Sequence, residues 1–203
     1  SPKCGTSTLA RELADAGAAS VATLVVGAQS WKEWHFFDEY WIQHKTWDIE
    51  AVASKWYDAL PKCEQVPKKL KVVADMTPAY LRSVPLGAGL RPNPKFHRGF
   101  SEINLPKTLK YAYGELSGDV LFVAMLREPV SQMQSMWYFM RKLAKEKGRK
   151  SSIWNINPTF TEDLRLSLSE LTRGRVTQLM WPALYSRHLK GYLSEFHASQ
   201  LVP

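Results

Sequence analysis

A lysine, a glycine and three hydroxyl side chains follow one another within the first eight residues, and these residue types suit an oxyanion. The segment reads Pro2-Lys3-Cys4-Gly5-Thr6-Ser7-Thr8. Gly5 lets the backbone approach a phosphate closely, and the N–H groups and dipole at the start of the next helix favour negative charge. Because Lys3 precedes the glycine, the segment is not the common nucleoside-triphosphate loop. The segment predicts an anion cradle, with a capped helix as the alternative interpretation.

A second candidate follows the most apolar stretch of the chain, residues 119–126 (DVLFVAML). That stretch predicts a buried strand, Arg127 follows it directly, and Ser135 lies eight residues after Arg127. Ligands of open α/β sheets bind at the carboxyl ends of strands. An arginine fork joined by a hydroxyl suits a phosphate monoester. The alternative is a surface arginine followed by a serine that faces solvent.

Strands that alternate with helices must position these residues. Apolar and β-branched runs predict strands over 21–26, 71–75 and 119–126, with another strand starting near 200–203. Apolar spacing, with Pro129 and other helix-start signals, predicts helices over 6–16, 49–60, 105–116, 129–147, 161–173 and 175–196. Residues 83–106 predict a long loop. This order predicts an α/β fold with a central parallel sheet flanked by helices. Residues 1–203 form one expected domain, cut at both ends.

The composition indicates which classes of binding partner are favoured, but it does not identify a particular one. The 203 residues are 45% apolar and 23% charged, which is ordinary for a globular domain with a sizeable core. A net charge of +8 favours anionic partners. The two cysteines, Cys4 and Cys63, make neither a disulfide framework nor a zinc pattern. No apolar run has the length of a membrane span, and no signal peptide is visible.

Taken together, the two candidate segments resemble the sulfotransferases that use 3′-phosphoadenosine-5′-phosphosulfate (PAPS). In that family, a P-K-x-G-T-S/T-x-L loop holds the 5′-phosphosulfate, and an L-R-x-P motif with a serine eight residues after the arginine holds the 3′-phosphate. The resemblance implies a P-loop-type three-layer fold and no metal. It assigns the donor to Lys3, Cys4, Gly5, Thr6, Ser7, Thr8, Arg127 and Ser135.

A third segment, residues 32–38 (KEWHFFD), resembles the E-x-H-F-F-D motif of the heparan sulfate sulfotransferases, especially the glucosaminyl 3-O type. The N-sulfotransferases carry a looser version. The resemblance implies that Glu33 is the catalytic base, and sulfuryl transfer does need a group that takes the acceptor proton. His35 and Asp38 are expected to support Glu33 or bind the acceptor. Lys3 is expected to neutralise charge on the leaving bisphosphate. The alternatives are a packed histidine and a solvated carboxylate.

The resemblance continues along the chain, with departures. Residues 75–80 (DMTPAY) resemble the family's E-K-S/T-P-x-Y segment, but Met76 replaces the active-site lysine and is assigned to the acceptor side. Gln132 replaces an arginine that many relatives carry. Residues 185–200 resemble the family's late helix, which leads into the next strand. These replacements predict a less basic site, and no counterpart of the family's closing loop lies within the chain.

Basic and aromatic residues outside these motifs suggest an acceptor surface. The long loop carries Arg91, Lys95, His97 and Arg98, and this loop is interpreted as an acceptor-side lid in which Arg98 contacts substrate. Residues 141–150 (RKLAKEKGRK) could bind a polyanion, or they form a solvated helix end. The tryptophans at 31, 34, 41, 47 and 56 could stack on sugars, although core packing is the simpler role.

The leading hypothesis is a PAPS-dependent enzyme of polysaccharide sulfation. It would move a sulfuryl group to a hydroxyl or amine of a glycan or other anionic carbohydrate and release 3′,5′-bisphosphoadenosine. A P-loop kinase and a non-catalytic polyanion-binding module are the alternatives. No nucleic-acid partner is expected. The resemblance suggests the Golgi lumen for a eukaryotic heparan-type enzyme and the cytoplasm otherwise. Membrane association would need an anchor outside this segment.

Overall fold

The computed structural model describes residues 12, 15, 20–21, 36–37, 47–59, 73–74, 81, 83–85, 89–92, 103–146 and 156–202. Its helices are α1 (Ile49–Ala59), α2 (Leu105–Tyr113), α3 (Pro129–Glu146), α4 (Phe160–Thr172) and α5 (Tyr185–Leu193). Its strands are β1 (Ser20–Val21), β2 (Val73–Ala74), β3 (Arg91–Pro92), β4 (Phe122–Val123), β5 (Arg175–Val176) and β6 (Leu201–Val202). Short 3-10 helices cover Gly114–Asp119, Trp181–Ala183 and Ala198–Gln200.

All strand pairs among the described residues are parallel. The structure pairs β1 with β2, β3 with β5, and β4 with β6. Parallel neighbours need crossover connections. Along the chain, α1 lies between β1 and β2, α2 to α4 lie between β3 and β5, and α3 to α5 lie between β4 and β6. The described part is therefore a mixed helix and parallel-strand structure, which is compatible with the predicted α/β class.

Four predicted helices are confirmed, and local hydrogen bonds explain where two of them begin. The Asn104 side chain accepts from the Lys107 backbone N–H at 3.2 Å and caps α2. Thr159 and Glu162 form a reciprocal capping box at the start of α4. Such caps satisfy N–H groups that have no partner inside the helix. The helices predicted over 49–60, 105–116, 129–147 and 161–173 thus agree with α1 to α4 to within a few residues.

The prediction of one helix over 175–196 is wrong. Gly174 adopts φ +69°, which ends the preceding helix, and Arg175–Val176 then form β5. Residues Trp181–Ala183 make a 3-10 turn that includes Pro182, and α5 starts only at Tyr185. The strand predicted over 119–126 is also shorter, because Gly114–Asp119 are helical and only Phe122–Val123 pair.

The long stretch 83–106 is not wholly a loop. Arg91–Pro92 form β3 on β5, and α2 begins at Leu105. Glu12 and Asp15 are helical, in agreement with the helix predicted over 6–16. Strand residues at 20–21 and 73–74 lie at or beside two predicted strands. The rest of these three predicted elements lies outside the described residues.

One apolar core joins the described helices. Its members are Phe37, Val52, Trp56, Val84, Ile103, Leu105, Leu109, Met133, Met136, Trp137, Met140, Val176, Leu179, Met180, Trp181, Ala183, Tyr192 and Phe196. The aromatic ring of Phe122 on β4 packs against Tyr192 and Phe196, with ring centroids 5.0 and 4.6 Å apart. These contacts fix β4 against the end of α5, and β4 leads directly to the candidate phosphate-binding residues.

Candidate functional site

Arg127 lies where the sequence predicted it, between the end of a parallel strand and the start of a helix. The backbone N–H of Ala124 donates to the Val202 carbonyl at 2.7 Å, so β4 remains tied to β6 as it ends. Residues 124–128 then lead to α3, which begins at Pro129. The Arg127 side chain is exposed. This position meets the requirement for a ligand-binding residue at the carboxyl edge of parallel strands.

The other end of this strand pair is fastened by a long-range contact. The Gln200 side chain donates through Nε2 to the carbonyls of Ser117 and Val120, at 2.7 and 2.8 Å. These bonds hold the turn before β6 against the turn before β4. The strand pair is therefore fixed at its start by Gln200 and at its end by the backbone bond between Ala124 and Val202.

Glu128, which the sequence analysis did not single out, caps the helix that follows Arg127. Its Oε1 accepts from the Val130 backbone N–H at 2.9 Å, and its Oε2 accepts from the Ser131 N–H at 2.6 Å. The hydrogen bonds from Ser131 and Val130, with a smaller contribution from Arg127, hold the pKa of Glu128 below 4.5. The carboxylate thus occupies helix N–H groups that a bound anion would otherwise use.

Ser135 lies further along α3, at the flank of its buried face. That face comprises Gln132, Met133, Met136, Trp137 and Met140, and Ser135 itself is half-buried. Ser131 precedes Ser135 by one helical turn, so the two hydroxyl-bearing residues share a side of the helix. Gln132, at the position where many relatives of the resembled family carry arginine, is fully buried.

The aromatic half of the segment at 32–38 packs into the core. Phe37 is fully buried, and its ring centroid lies 4.7 Å from that of Trp56 on α1. Phe36 meets the same indole edge-on at 5.3 Å. Trp47, which donates through Nε1 to Thr108 Oγ1 at 3.0 Å, also lies beside Phe37. Trp47 and Trp56 therefore act as packing residues.

The remaining predicted site residues lie outside the described residues. They are Lys3, Cys4, Gly5, Thr6, Ser7, Thr8, Glu33, His35, Asp38, Met76 and Arg98. Of the predicted donor-binding residues, the structure places Arg127 and Ser135. The signal that would have identified Glu128 was available, because it precedes the proline at the first position of α3.

The segment at residues 185–202 contains a helix, a turn and a strand. Helix α5 is followed by the turn Ala198–Gln200 and then by β6. His188 on α5 is fully buried, and its Nε2 donates to the Trp181 carbonyl at 2.7 Å. The histidine ring also meets the Trp181 indole edge-on, with centroids 4.3 Å apart. These contacts make His188 a packing residue that joins α5 to the preceding 3-10 turn.

The described part of the chain carries neither a metal-ligand cluster nor a helix that could span a membrane. No three histidine, cysteine, aspartate or glutamate side chains among the described residues group as metal ligands. None of the helices in the described ranges has the length and apolar character to cross a membrane. Comparison with known protein families, curated proteins and solved structures finds no match.

Proposed function

We propose that the protein transfers a sulfuryl group from PAPS to a hydroxyl or amine of a carbohydrate acceptor. The observation that carries this proposal is the position of Arg127 and Ser135. A parallel strand ends, an exposed arginine follows, and a half-buried serine lies on the next helix. Guanidinium and hydroxyl donors in this arrangement suit the 3′-phosphate that PAPS carries and that ATP, ADP and AMP lack.

The capping of α3 supports phosphate binding by side chains and not by the helix N-terminus. Because Glu128 takes the N–H groups of Val130 and Ser131, the helix N-terminus has less capacity for the phosphate. Recognition of a phosphate would then depend on the side chains of Arg127 and Ser135. Loss of either side chain should therefore affect affinity strongly.

The proposed reaction is an in-line displacement at sulfur. An acceptor oxygen or nitrogen forms a bond to sulfur while the bond from sulfur to the 5′-phosphate oxygen breaks. Glu33 takes the acceptor proton, and Lys3 neutralises charge on the leaving 3′,5′-bisphosphoadenosine. His35, Asp38, Met76 and Arg98 are proposed to contact the acceptor. The proposed framework is a P-loop-type three-layer fold, with residues 3–8 around the 5′-phosphosulfate.

Calorimetric titration with 3′,5′-bisphosphoadenosine tests the nucleotide site. We expect binding to the wild type and its loss in Lys3→Ala and Arg127→Ala. Arg165→Ala is the matched control, because Arg165 is an exposed arginine on α4. Unchanged affinity in both site variants would overturn the assignment. Tighter binding of ATP with magnesium than of the bisphosphate would favour the kinase alternative.

Glu33→Gln separates donor binding from transfer. The variant should bind the bisphosphate as the wild type does and should lose sulfuryl transfer from PAPS. Retained turnover would remove Glu33 from the role of base. Heparin affinity in a protein that does not bind the bisphosphate would instead favour the polyanion-binding module.

A further inference from the structure

Two arginines lie opposite each other in the short ribbon formed by β3 and β5. Arg91 pairs with Arg175 in parallel register, and the Arg91 backbone N–H donates to the Gly174 carbonyl at 3.0 Å. The side chains of residues paired in register project from the same face of a sheet. Like charges placed directly opposite on neighbouring strands are destabilising. Two like charges on paired residues therefore reduce stability, and such unfavourable pairs are expected chiefly at functional positions.

Among the described residues, the Glu170 carboxylate is the one that forms an ion pair with Arg175. Glu170 Oε2 lies 2.6 Å from Arg175 Nε, and Glu170 Oε1 lies 2.7 Å from Arg175 Nη2. Arg173 Nη1 approaches the same Oε1 at 3.4 Å. The Glu170 side chain is 6% exposed, whereas the Arg175 side chain is 34% exposed. Glu170 therefore holds the edge of the Arg175 guanidinium formed by Nε and Nη2, while the Arg175 side chain as a whole stays partly exposed.

The ribbon carries an excess of positive charge. Arg91 is exposed and forms no ion pair with any residue that the structure describes, and the Arg173 side chain is 64% exposed. Arg173 and Arg175 thus share the Glu170 carboxylate, and Arg91 adds a third guanidinium that no described carboxylate contacts. In the sequence, Lys95, His97 and Arg98 follow Arg91 within seven residues. A guanidinium presents its donors in a rigid fork that matches carboxylate and sulfate oxygens.

The backbone beneath the arginines is tightly fixed. Gly89 and Gly174 both adopt positive φ, at +80° and +69°. A Cβ on Gly174 would lie 2.9 Å from the Gly89 carbonyl oxygen, so only glycine permits this approach. The paired backbones hold the Cα atoms of Arg91 and Arg175 in a fixed register, which favours a site for one small group over a diffuse charged surface.

We infer that Arg91 and Arg175 bind an oxyanion group, a carboxylate or a sulfate ester, of the acceptor. The identity of that ligand as the acceptor rests on the proposed function, whereas the oxyanion site rests on the ribbon itself. Arg175 supplies a preorganised guanidinium held by Glu170, and Arg91 supplies the second guanidinium. An oxyanion between them would relieve the repulsion that their register creates.

The test compares Arg91→Gln with Arg165→Gln, which removes the same charge elsewhere. Arg165 lies five residues before Glu170 on α4, about 140° around the helix. Binding of a heparin hexasaccharide and of a hyaluronan hexasaccharide is measured by calorimetry at one salt concentration. We expect Arg91→Gln to weaken at least one of the two about tenfold more than Arg165→Gln does. Heparin carries carboxylates as well as sulfates, whereas hyaluronan carries carboxylates alone. A loss with both oligosaccharides therefore indicates a bound carboxylate, and a loss with heparin alone indicates a bound sulfate.

Equal losses in the two variants with both oligosaccharides would overturn the site and leave only a general effect of net charge. Arg91 is the test residue because Arg175→Gln would leave Glu170 buried without its main partner. The same proteins are titrated with 3′,5′-bisphosphoadenosine, which Arg91→Gln should bind as the wild type does. A wild type that fails to bind the bisphosphate refutes the proposed function, whereas the comparison of oligosaccharide affinities still decides the oxyanion site.

Discussion

The Oε2 atom of Glu128 accepts a hydrogen bond from the Ser131 backbone N–H at 2.6 Å. Together with the bond from the Val130 N–H to Oε1, it joins the residue next to Arg127 to the first turn of α3. The carboxylate is therefore both the cap of this helix and the nearest negative charge along the chain to the proposed phosphate-binding arginine. Because this cap lies next to the proposed site, we expect Glu128 to affect both the stability of the protein and the affinity of that site for an anion.

We predict that Glu128 stabilises the protein in a pH-dependent way. Its pKa is lowered in the folded state, so its stabilisation is complete above the ordinary value of 4.5 and is lost as the pH falls through the folded-state pKa. Urea denaturation from pH 7 to pH 3 should show Glu128→Gln less stable than the wild type at pH 7, with the difference vanishing at acid pH. Glu115→Gln, which changes an exposed carboxylate on the 3-10 helix, is the control. A difference that does not depend on pH would contradict the cap.

Ser135→Ala should weaken recognition of a 3′-phosphate specifically. A hydroxyl donor to a charged oxygen contributes enough that its loss should reduce affinity about tenfold. The measurement compares 3′,5′-bisphosphoadenosine with adenosine 5′-monophosphate, which differ only in the 3′-phosphate. The variant should lose affinity for the first ligand and keep its affinity for the second. Ser169→Ala, at an exposed position on α4, should leave both affinities unchanged; equal losses for both ligands would argue against a 3′-phosphate contact.

The sequence predicted this strand–arginine–helix arrangement well because its signals are local. An apolar β-branched run, an arginine and a proline at the first helical position lie within a few residues of one another. Glu128 was missed because glutamate is an uncommon cap residue, and its role depends on the helix geometry around it. Arg127 and Ser135 could therefore be predicted, and the proline after Glu128 was the one local signal for its capping role.

The pairing of β3 with β5 has no signal in the local sequence pattern. Each strand has two residues, so no alternation is visible, and residues 91 and 175 lie 84 positions apart. The apolar spacing after Gly174 resembled one long helix. In the structure, Gly174 ends the preceding helix, Arg175–Val176 form β5, and a 3-10 turn at Trp181–Ala183 comes before α5. Tertiary pairing overrides local preference here, and the ion pair between Glu170 and Arg175 could not be inferred in advance.

The pair formed by Glu170 and Arg175 should be costly to break. Arg175→Ala leaves a buried carboxylate without its main partner, and we expect a loss of about 3 kcal/mol in the free energy of unfolding. Arg173→Ala removes a largely exposed arginine at 3.4 Å and should cost at most about 1 kcal/mol. A double-mutant cycle with Glu170→Gln and Arg175→Gln, followed by urea denaturation, measures the coupling. Equal losses of unfolding free energy in Arg175→Ala and Arg173→Ala would argue against Arg175 as the main partner of Glu170.

Gly174→Ala should destabilise the ribbon through the backbone. A side chain at φ +69° costs about 1–2 kcal/mol, and its Cβ would meet the Gly89 carbonyl at 2.9 Å. Hydrogen exchange at the Arg91 N–H, which donates to Gly174, should accelerate. Gly118→Ala is the matched control, since a Cβ there meets nothing within 4 Å, and its change should stay within about 0.5 kcal/mol. Unchanged exchange at Arg91 in Gly174→Ala would show that the ribbon tolerates the side chain.

Asp163 is the residue whose loss should most disturb the helix that carries Ser135. This buried carboxylate accepts from Trp137 Nε1 on α3 at 2.7 Å, from the Asn157 backbone N–H at 3.0 Å, and from Asn157 Nδ2 at 2.7 Å. Asp163→Ala leaves all three donors without this acceptor, so we expect a loss of about 3 kcal/mol in urea denaturation. Glu162→Ala, which removes the adjacent exposed partner in the capping box, should cost only about 1 kcal/mol. The indole N–H resonance of Trp137 should shift in Asp163→Ala and stay in place in Glu162→Ala. An indole resonance that does not move in Asp163→Ala would mean that α3 is held against α4 by apolar packing alone.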